Sequence, residues 1–269
     1  MQARIVKWAL IAIGVAFIAL MLILPLATVL AYALRQGWET FIAAVVDDYA
    51  IKALNLTLLA AGITLATNTG FGLFAAWTIT KFRFWGKQVL TTLIDIPFSI
   101  SPIIAGLVFI VVFGRIGWAY PLLEALDVKI VFAVPGIVLA TIFVTFPFVS
   151  RELIPLMQAQ GNEEEEAAAL MGARGFQIFR RITFPHIKWG LLYGMILCTA
   201  RALGEFGAVS VVSGHLRGKT NTLPLHVEIL FNEFRLTAAC AVASILIIIA
   251  IVILILRNIV EYKLKREES

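Results

Sequence analysis

The chain has 269 residues, of which 61% are hydrophobic and 14% are charged, and its mean hydropathy is +0.94. Soluble domains carry about 25% charged residues, so this composition excludes an ordinary water-soluble domain. The net charge of +5 and the pI of about 9.4 would suggest a nucleic-acid partner in a soluble protein. In a membrane protein such a charge is typical of basic cytoplasmic loops, so we expect a lipid-embedded chain with no nucleic-acid partner.

Several apolar segments are long enough to cross a bilayer. Backbone polar groups in lipid are satisfied only within helices or closed barrels, and the alternating strands of a barrel are not seen. The sequence therefore predicts an all-α fold, a polytopic membrane helical bundle in a single membrane domain over residues 1–269. The first span is too long for a signal-peptide core and is expected to stay attached. We place six spans near residues 8–34, 53–80, 89–113, 130–149, 189–213 and 238–256.

Basic residues between the spans predict the orientation, because positively charged loops are retained in the cytoplasm. Fourteen lysines and arginines fall on the side that holds both termini, and seven fall on the other side. Both termini are therefore predicted to be cytoplasmic. The longest cytoplasmic connection is then 150–188, about 39 residues.

This connection is predicted to hold two short helices separated by Gly172. Asn162 followed by Glu165 resembles a capping box, in which each side chain bonds the backbone of the other residue, so a helix should begin there. Beyond Gly172 an apolar edge predicts a second short helix, and Pro185 is expected to close it. That edge consists of Phe176, Phe179 and Ile182.

The same connection carries a specific pattern. Glu166-Ala167-Ala168, then Gly172, then Ile182-x-Phe184-Pro185 resembles the EAA loop of ABC importer permeases, with Phe184 where leucine is usual. The resemblance implies a type I permease (MetI-like) fold and a coupling helix that docks on a separate ATP-hydrolysing subunit. The residues that it implies for ATPase coupling are Glu166, Ala167, Ala168, Gly172, Phe179, Ile182 and Pro185.

Three further stretches, 95–102, 146–152 and 200–208, are similar to the sulfate, thiosulfate and molybdate branch of that family. The similarity covers roughly residues 50–235 and is greatest to the sulfate/thiosulfate permeases. It implies half of a translocation pathway in the bacterial inner membrane, with molybdate or tungstate as the alternative cargo. The implied partners are two ATP-binding subunits, a homologous second permease subunit and a periplasmic sulfate-binding protein.

No nucleotide site of the chain's own is predicted. Residues 213–220 end like a phosphate-binding loop, but the loop requires a glycine where Ser213 stands, and the segment follows a membrane helix. We therefore expect a non-catalytic subunit that binds no cofactor, with ATP and Mg²⁺ on the partner ATPase.

A metal site is not predicted either. Cys198 and Cys240 fall inside apolar runs, where small buried hydrophobes are expected. The histidines are dispersed in predicted loops without the spacing that zinc needs; they are His186, His215 and His226.

Arg201 and Glu205 stand four residues apart in the fifth span, so they can pair on one helical face. An arginine inside the bilayer should face protein or water. Two interpretations stay open: an ion pair that locks the bundle, or a positive potential for an anion passage. On the same helix, Ala200, Gly204 and Ala208 predict a small-residue face for close helix packing.

The third span contains Pro97 and Pro102 with Ser99 and Ser101 between them. Proline removes a helix donor, so a kink is predicted there. The serines are candidates to line the pathway, or they bond preceding carbonyls in a simple packing kink. Asp95 is expected to partner a basic loop residue.

Two other function classes fit this sequence less well than a permease. An ion-coupled secondary carrier usually needs two repeated halves with broken helices, and the sequence predicts one strongly broken span and no repeat. A membrane enzyme should cluster His, Asp or Glu at one face, and the only carboxylate cluster, Glu163 to Glu166, has no histidine complement in the pattern. Neither class needs an EAA loop.

Overall fold

A computed structural model describes residues 2–267, and all regular structure in these residues is helical. Met1, Glu268 and Ser269, which the predicted domain 1–269 includes, lie outside the described residues. Four helices are long and apolar enough to cross a membrane, and two bent helix pairs bring the number of spans to six. The predicted all-α membrane helical bundle is therefore confirmed, and the predicted six spans are reached when each bent pair is counted as one span.

The α-helices are numbered in chain order. The first half contains α1 Gln2–Ile18, α2 Leu24–Leu34, α3 Trp38–Val45, α4 Asp48–Lys81, α5 Lys87–Ser99, α6 Pro102–Phe113, α7 Tyr120–Ala125 and α8 Val134–Thr145. The second half contains α9 Pro147–Gln160, α10 Glu163–Leu170, α11 Gly175–Ile178, α12 Phe184–Leu203, α13 Gly207–Ser213, α14 Leu223–Asn232 and α15 Leu236–Glu267. Two π-helical segments, Ala19–Ile23 and Phe179–Thr183, join α1 to α2 and α11 to α12.

The long connection differs from the prediction. The fourth span, Val134–Gln160, runs beyond the predicted boundary at residue 149, and the fifth span begins at Gly175 and not at residue 189. Residues 150–188 therefore do not form two separate short helices. They comprise the end of α9, the single short helix α10, and the first turns of the fifth span.

Both π segments lie just ahead of a proline. Pro25 and Pro185 each stand two residues after a π segment, and Phe184 N–H bonds to the carbonyl of Phe179 five residues earlier. Proline has no N–H, and its ring clashes with the carbonyl four residues back in a regular helix. The wider π turn relieves that clash. The prediction that Pro185 closes the helix is therefore wrong, because the helix continues through Pro185 to Leu203.

Two spans are broken, where the sequence predicted one. The third span bends by 107° between Ser99 and Pro102, as the prolines predicted, and the fifth span bends by 50° between Leu203 and Gly207. The break after Leu203 interrupts the predicted continuous face of Ala200, Gly204 and Ala208, so that prediction is wrong. Ala208 is buried while Ala200 and Gly204 are exposed.

The two breaks pack against each other through glycines. A Cβ added at Gly207 would stand 2.9 Å from Cβ of Pro102, and one added at Gly106 would stand 2.6 Å from the carbonyl oxygen of Ala208. These separations are shorter than van der Waals contact, so α6 and α13 approach as closely as only glycine allows. The helix that follows the bend of the third span, α6, is thereby packed on the helix that follows the bend of the fifth, α13.

A buried amide joins three spans at the centre of the bundle. The Nδ2 of Asn68 on α4 donates to Oγ1 of Thr145 at 2.8 Å and to the carbonyl of Ile142 at 3.2 Å, both on α8. The thiol of Cys198 on α12 lies 3.8 Å from the same nitrogen. Cys198 and Cys240 are free thiols, and Cys198 is buried, as predicted.

Replacing Gly106 by alanine is expected to destabilise the protein, because the new methyl group would overlap backbone atoms of Ala208 that cannot rotate away. Overpacking of this kind costs about 1 to 3 kcal/mol. Thermal denaturation in detergent should show a lower midpoint. Gly62→Ala is the matched control, because nothing lies within 4 Å of the added Cβ; equal midpoints for the two variants would contradict the close approach of α6 and α13.

Candidate coupling site and pathway residues

Helix α10 begins where the sequence predicts, but it is not capped as predicted. Glu163 is its first residue, and four glutamates occupy the first turn, where the positive end of the helix dipole favours negative charge. Asn162 precedes the helix without any side-chain capping bond. The prediction of a capping box between Asn162 and Glu165 is therefore wrong. The Glu165 side chain instead contacts Lys81 of α4 and Thr183 of the fifth span.

Gly172 ends α10 in a Schellman motif. The N–H of Ala173 donates to the carbonyl of Ala168 at 3.0 Å, and the N–H of Gly172 donates to that of Ala169 at 3.0 Å. The motif needs a left-handed residue, and Gly172 has φ of 87°. Nothing lies within 4 Å of a Cβ added there. The backbone conformation, and not crowding, therefore explains glycine at this position.

The outer surface of this region combines large apolar side chains with exposed glutamates. Leu170, Met171 and Phe176 are 90%, 82% and 74% exposed. Glu166 and Ala167 are also exposed, while Ala168 is buried against the bundle. Apolar side chains exposed to this degree beside polar residues are typical of a surface that binds another protein.

The inner surface of α10 is fastened by a cluster of buried polar groups. Nζ of Lys81 lies 3.0 Å from Oε1 of Glu165, and these side chains are 6% and 14% exposed. Nζ of Lys81 also donates to the carbonyl of Gly161 at 2.7 Å, and Oγ1 of Thr183 donates to Oε1 of Glu165 at 2.6 Å. We call Lys81, Glu165 and Thr183 the coupling joint. It ties α10 to the ends of α4 and α9 and to the π segment.

Three other predicted coupling residues lie in the first turns of the fifth span. The ring of Phe179 packs edge-on against Trp77 with centroids 5.8 Å apart. Ile182 and Pro185 are half-buried on the same helix. A cavity of about 260 Å³ remains between α10, Trp77 and Phe179. All seven predicted coupling residues therefore lie at one end of the bundle, on or beside α10.

The predicted pair in the fifth span forms, but at a helix break. Nη1 of Arg201 lies 2.6 Å from Oε2 of Glu205, whose side chain is 1% exposed. The other carboxylate oxygen of Glu205 accepts from the N–H of Ala208 at 2.9 Å, in the first turn of α13. The carboxylate therefore stabilises the start of α13, and Arg201 neutralises it.

The other two pathway candidates, Ser99 and Ser101, lie at the break in the third span. Ser99 ends α5, Ser101 precedes α6, and both are exposed. They line a largely apolar cavity of about 450 Å³ along α6. Close to this break Asp95 pairs with Arg151, with Nε to Oδ1 at 3.0 Å. The partner is basic as predicted, but it lies in α9 and not in a loop.

The structure also places the histidines and the segment that resembles a phosphate-binding loop. His186 lies in α12 and His226 in α14, not in loops as predicted. No group of three His, Cys, Asp or Glu side chains that could hold a metal occurs within residues 2–267 as described. In the segment that resembles a phosphate loop, the Thr220 hydroxyl is buried and donates to the carbonyl of Ser213 at 2.7 Å, so the segment closes on itself.

Sequence reasoning missed the coupling joint. Lys81 entered only the count of basic residues, Glu165 was assigned to a cap, and Thr183 was not considered. These residues are 18 to 102 positions apart in the chain and lie in three different helical segments. No local pattern in one segment could have joined them.

Comparison with known proteins identifies the family. A family model described as the binding-protein-dependent transport system inner membrane component matches residues 68–266. The chain belongs to this family. With six spans, it is a multi-pass membrane protein and a component of a transport system.

Close relatives extend over nearly the whole chain. It is 48% identical over 259 residues to the sulfate transport system permease protein CysW of Synechococcus elongatus, covering 96% of this chain and 91% of the relative. It is 44% identical to CysW of Escherichia coli K12, covering 98% and 90%. The sulfate transport system permease protein CysT of Salmonella typhimurium is 33% identical, covering 93% and 90%.

The fold is shared with solved ABC transporters. A chain in the crystal structure of a bacterial alginate ABC transporter, in complex with an alginate pentasaccharide-bound periplasmic protein, superposes with a TM-score of 0.81. The sequence identity is 17%, and the match covers 96% of this chain and 94% of that one. The predicted MetI-like permease fold is therefore confirmed.

Gly172→Ala is expected to weaken the end of α10, because a left-handed alanine costs about 1 to 2 kcal/mol. The amides of Gly172 and Ala173 should exchange with deuterium about tenfold faster, since local opening becomes easier by that free energy. Gly172→Asn is the matched variant, because asparagine tolerates the left-handed conformation. Unchanged exchange in the alanine variant would contradict the Schellman motif.

Arg201→Met is expected to destabilise the protein, because it leaves the buried Glu205 carboxylate without its cation. Loss of one partner of a buried pair costs about 3 kcal/mol or more. Thermal denaturation in detergent measures the effect. The double variant Arg201→Met/Glu205→Gln should recover much of the loss, since the amide oxygen can still accept from Ala208; a double variant as unstable as the single one would argue against the pair.

Proposed function

We propose that this chain is a permease subunit of an ATP-driven ABC importer for sulfate and thiosulfate, and that it forms half of the translocation pathway. The observation that carries the proposal is the near full-length similarity to CysW proteins, 48% and 44% identical in two organisms. Molybdate or tungstate is the alternative cargo within the same branch. An ion-coupled secondary carrier is not proposed, because the family is binding-protein-dependent.

In this proposal α10 is the coupling helix. Its exposed tip of Leu170 and Met171, with Glu166 beside it, enters a groove of a separate ATP-binding subunit. Two such subunits bind ATP and Mg²⁺ and carry out hydrolysis, while this chain binds no cofactor. The exposure of the tip and the rigid attachment of its inner side support this role.

The proposed assembly pairs this chain with a homologous CysT-type permease subunit in a heterodimer. Both termini and α10 face the cytoplasm, as the excess of basic residues on that side indicates. A periplasmic sulfate-binding protein delivers the anion to the opposite end.

The opposite end carries a basic cleft suited to that delivery. A cleft of about 850 Å³ is lined by Arg35, Arg217, Arg235 and His226 among other residues. Burial lowers the pKa of His226, so the imidazole is neutral at pH 7 and the arginines supply the positive charge. The hydrogen bond from Arg217 lowers the pKa of Glu233, so that pair stays charged. With Arg217 paired, Arg35 and Arg235 still outnumber Asp47, the one carboxylate among the lining residues. The resulting positive potential attracts an anion toward the mouth of the pathway.

The test is uptake of radiolabelled sulfate by cells that lack the chain and by cells in which it is restored, with thiosulfate and molybdate as competitors. Uptake should return with the native chain and be blocked by thiosulfate. Glu166→Arg should abolish it at normal expression, because the reversed charge lies on the docking surface.

Glu163→Arg is the matched control, because it makes the same charge change at an exposed position of the same helix. It should reduce uptake far less than Glu166→Arg. If deletion leaves sulfate uptake unchanged while molybdate accumulation falls, the cargo is molybdate. If neither anion responds to deletion, the proposal of an oxyanion importer fails.

A further inference from the structure

We propose that Lys81 is a positioning residue for energy coupling: through the coupling joint it makes α10 move as one body with the second and fifth spans. This inference rests on the proposed function of α10 as the docking element. It assigns the transmission of movement to a buried polar contact that includes none of the seven residues implied by the EAA resemblance.

The joint brings four chain segments to one point. Lys81 is the last residue of α4, Gly161 follows the end of α9, Glu165 lies in α10, and Thr183 ends the π segment. The Lys81 ammonium contacts two of these segments, at 2.7 Å and 3.0 Å, and a single oxygen of Glu165 receives both Lys81 and Thr183. A displacement of α10 therefore acts directly on the second, fourth and fifth spans.

Burial makes this contact hard to open. A solvent-exposed ion pair contributes little, because water and salt replace the partner easily. In the joint both charged side chains are at most 14% exposed, and the Thr183 side chain is buried. Separating the pair would leave two poorly solvated charges, which is strongly unfavourable. When α10 is pushed or pulled, the joint is expected to stay closed and the spans to follow.

A second polar contact from α10 to the fifth span is exposed. His186 Nε2 lies 3.2 Å from Oε2 of Glu164, and both side chains are about half exposed. Within the described residues, the coupling joint is thus the buried polar connection between α10 and the spans. The apolar contact of Ala168 is non-directional and does not fix the orientation of the helix.

Thr183 also differs from three buried threonines in neighbouring spans. Thr57, Thr141 and Thr145 each donate to the carbonyl four residues earlier in their own helix. Thr183 instead donates across to Glu165. It does so at the end of a π segment, where the helix has a local irregularity, and such irregularities are frequent at functional sites. The hydroxyl therefore connects α10 to the fifth span at an adaptable point of that span.

The experiment uses the complete importer in proteoliposomes and measures sulfate uptake and ATP hydrolysis in one preparation. In Lys81→Met and in Glu165→Gln, the sulfate moved per ATP is expected to fall about tenfold, within the usual range of coupling effects. The charge-swapped pair Lys81→Glu/Glu165→Lys should recover much of the ratio that either single swap loses. Arg83→Glu is the control, because this exposed residue lies just beyond α4; its ratio should stay at the native value.

Assembly is followed by co-purification of the ATP-binding subunits. If a charge variant does not assemble, Thr183→Val carries the test, because it removes the hydroxyl and keeps the side-chain size. Its ratio should also fall. A ratio within twofold of native in every assembled joint variant overturns the proposal.

Failure of this inference is distinguishable from failure of the proposed function. If the native importer moves sulfate and Glu166→Arg abolishes that transport, the function stands, and unaffected joint variants then reject only the positioning role of Lys81. If the native importer moves no sulfate, thiosulfate or molybdate, the function itself is rejected, and the positioning role, which rests on it, falls with it.

Discussion

Hydrocarbon offers no hydrogen bonds, so every interruption of a membrane helix must be satisfied by protein groups. The rest of the bundle depends on this constraint, because two of its six spans are interrupted. At the fifth span, Glu205 supplies the missing acceptor to the start of α13, and the buried carboxylate then requires Arg201. The interruption of this helix thus explains the two charges that lie beside it.

Close contact between the interruptions adds a second requirement. The glycines at 106 and 207 let α6 and α13 approach to distances that a methyl group would prevent. The third span, which bends more sharply, is thereby supported by the fifth along the part of each span that follows its bend. Such supported breaks permit irregular backbone at membrane depth, which is the condition for polar groups such as Ser99 and Ser101 to line a pathway.

The two sides of α10 differ in polarity and in exposure. The outer side of α10 exposes large apolar side chains, and its inner side holds a buried ion pair and a buried hydroxyl. An exposed surface can bind a partner reversibly, whereas a desolvated charge pair resists separation. This combination suits a helix that receives force from a neighbouring subunit and transmits it to several spans.

The sequence by itself determined the class of fold, the start of α10 after Asn162 and its end at Gly172, because hydropathy and helix ends are local properties. It also predicted the pair of Arg201 and Glu205 from their spacing. Only the tertiary structure decided that Glu165 bonds Lys81 and Thr183, that the helix passes through Pro185, and that the fifth span is broken. The contacts of Glu165 and the support of the broken span depend on segments far apart in the chain. At Pro185 the residue itself allows either a helix end or a π turn, and the packed structure selects the π turn.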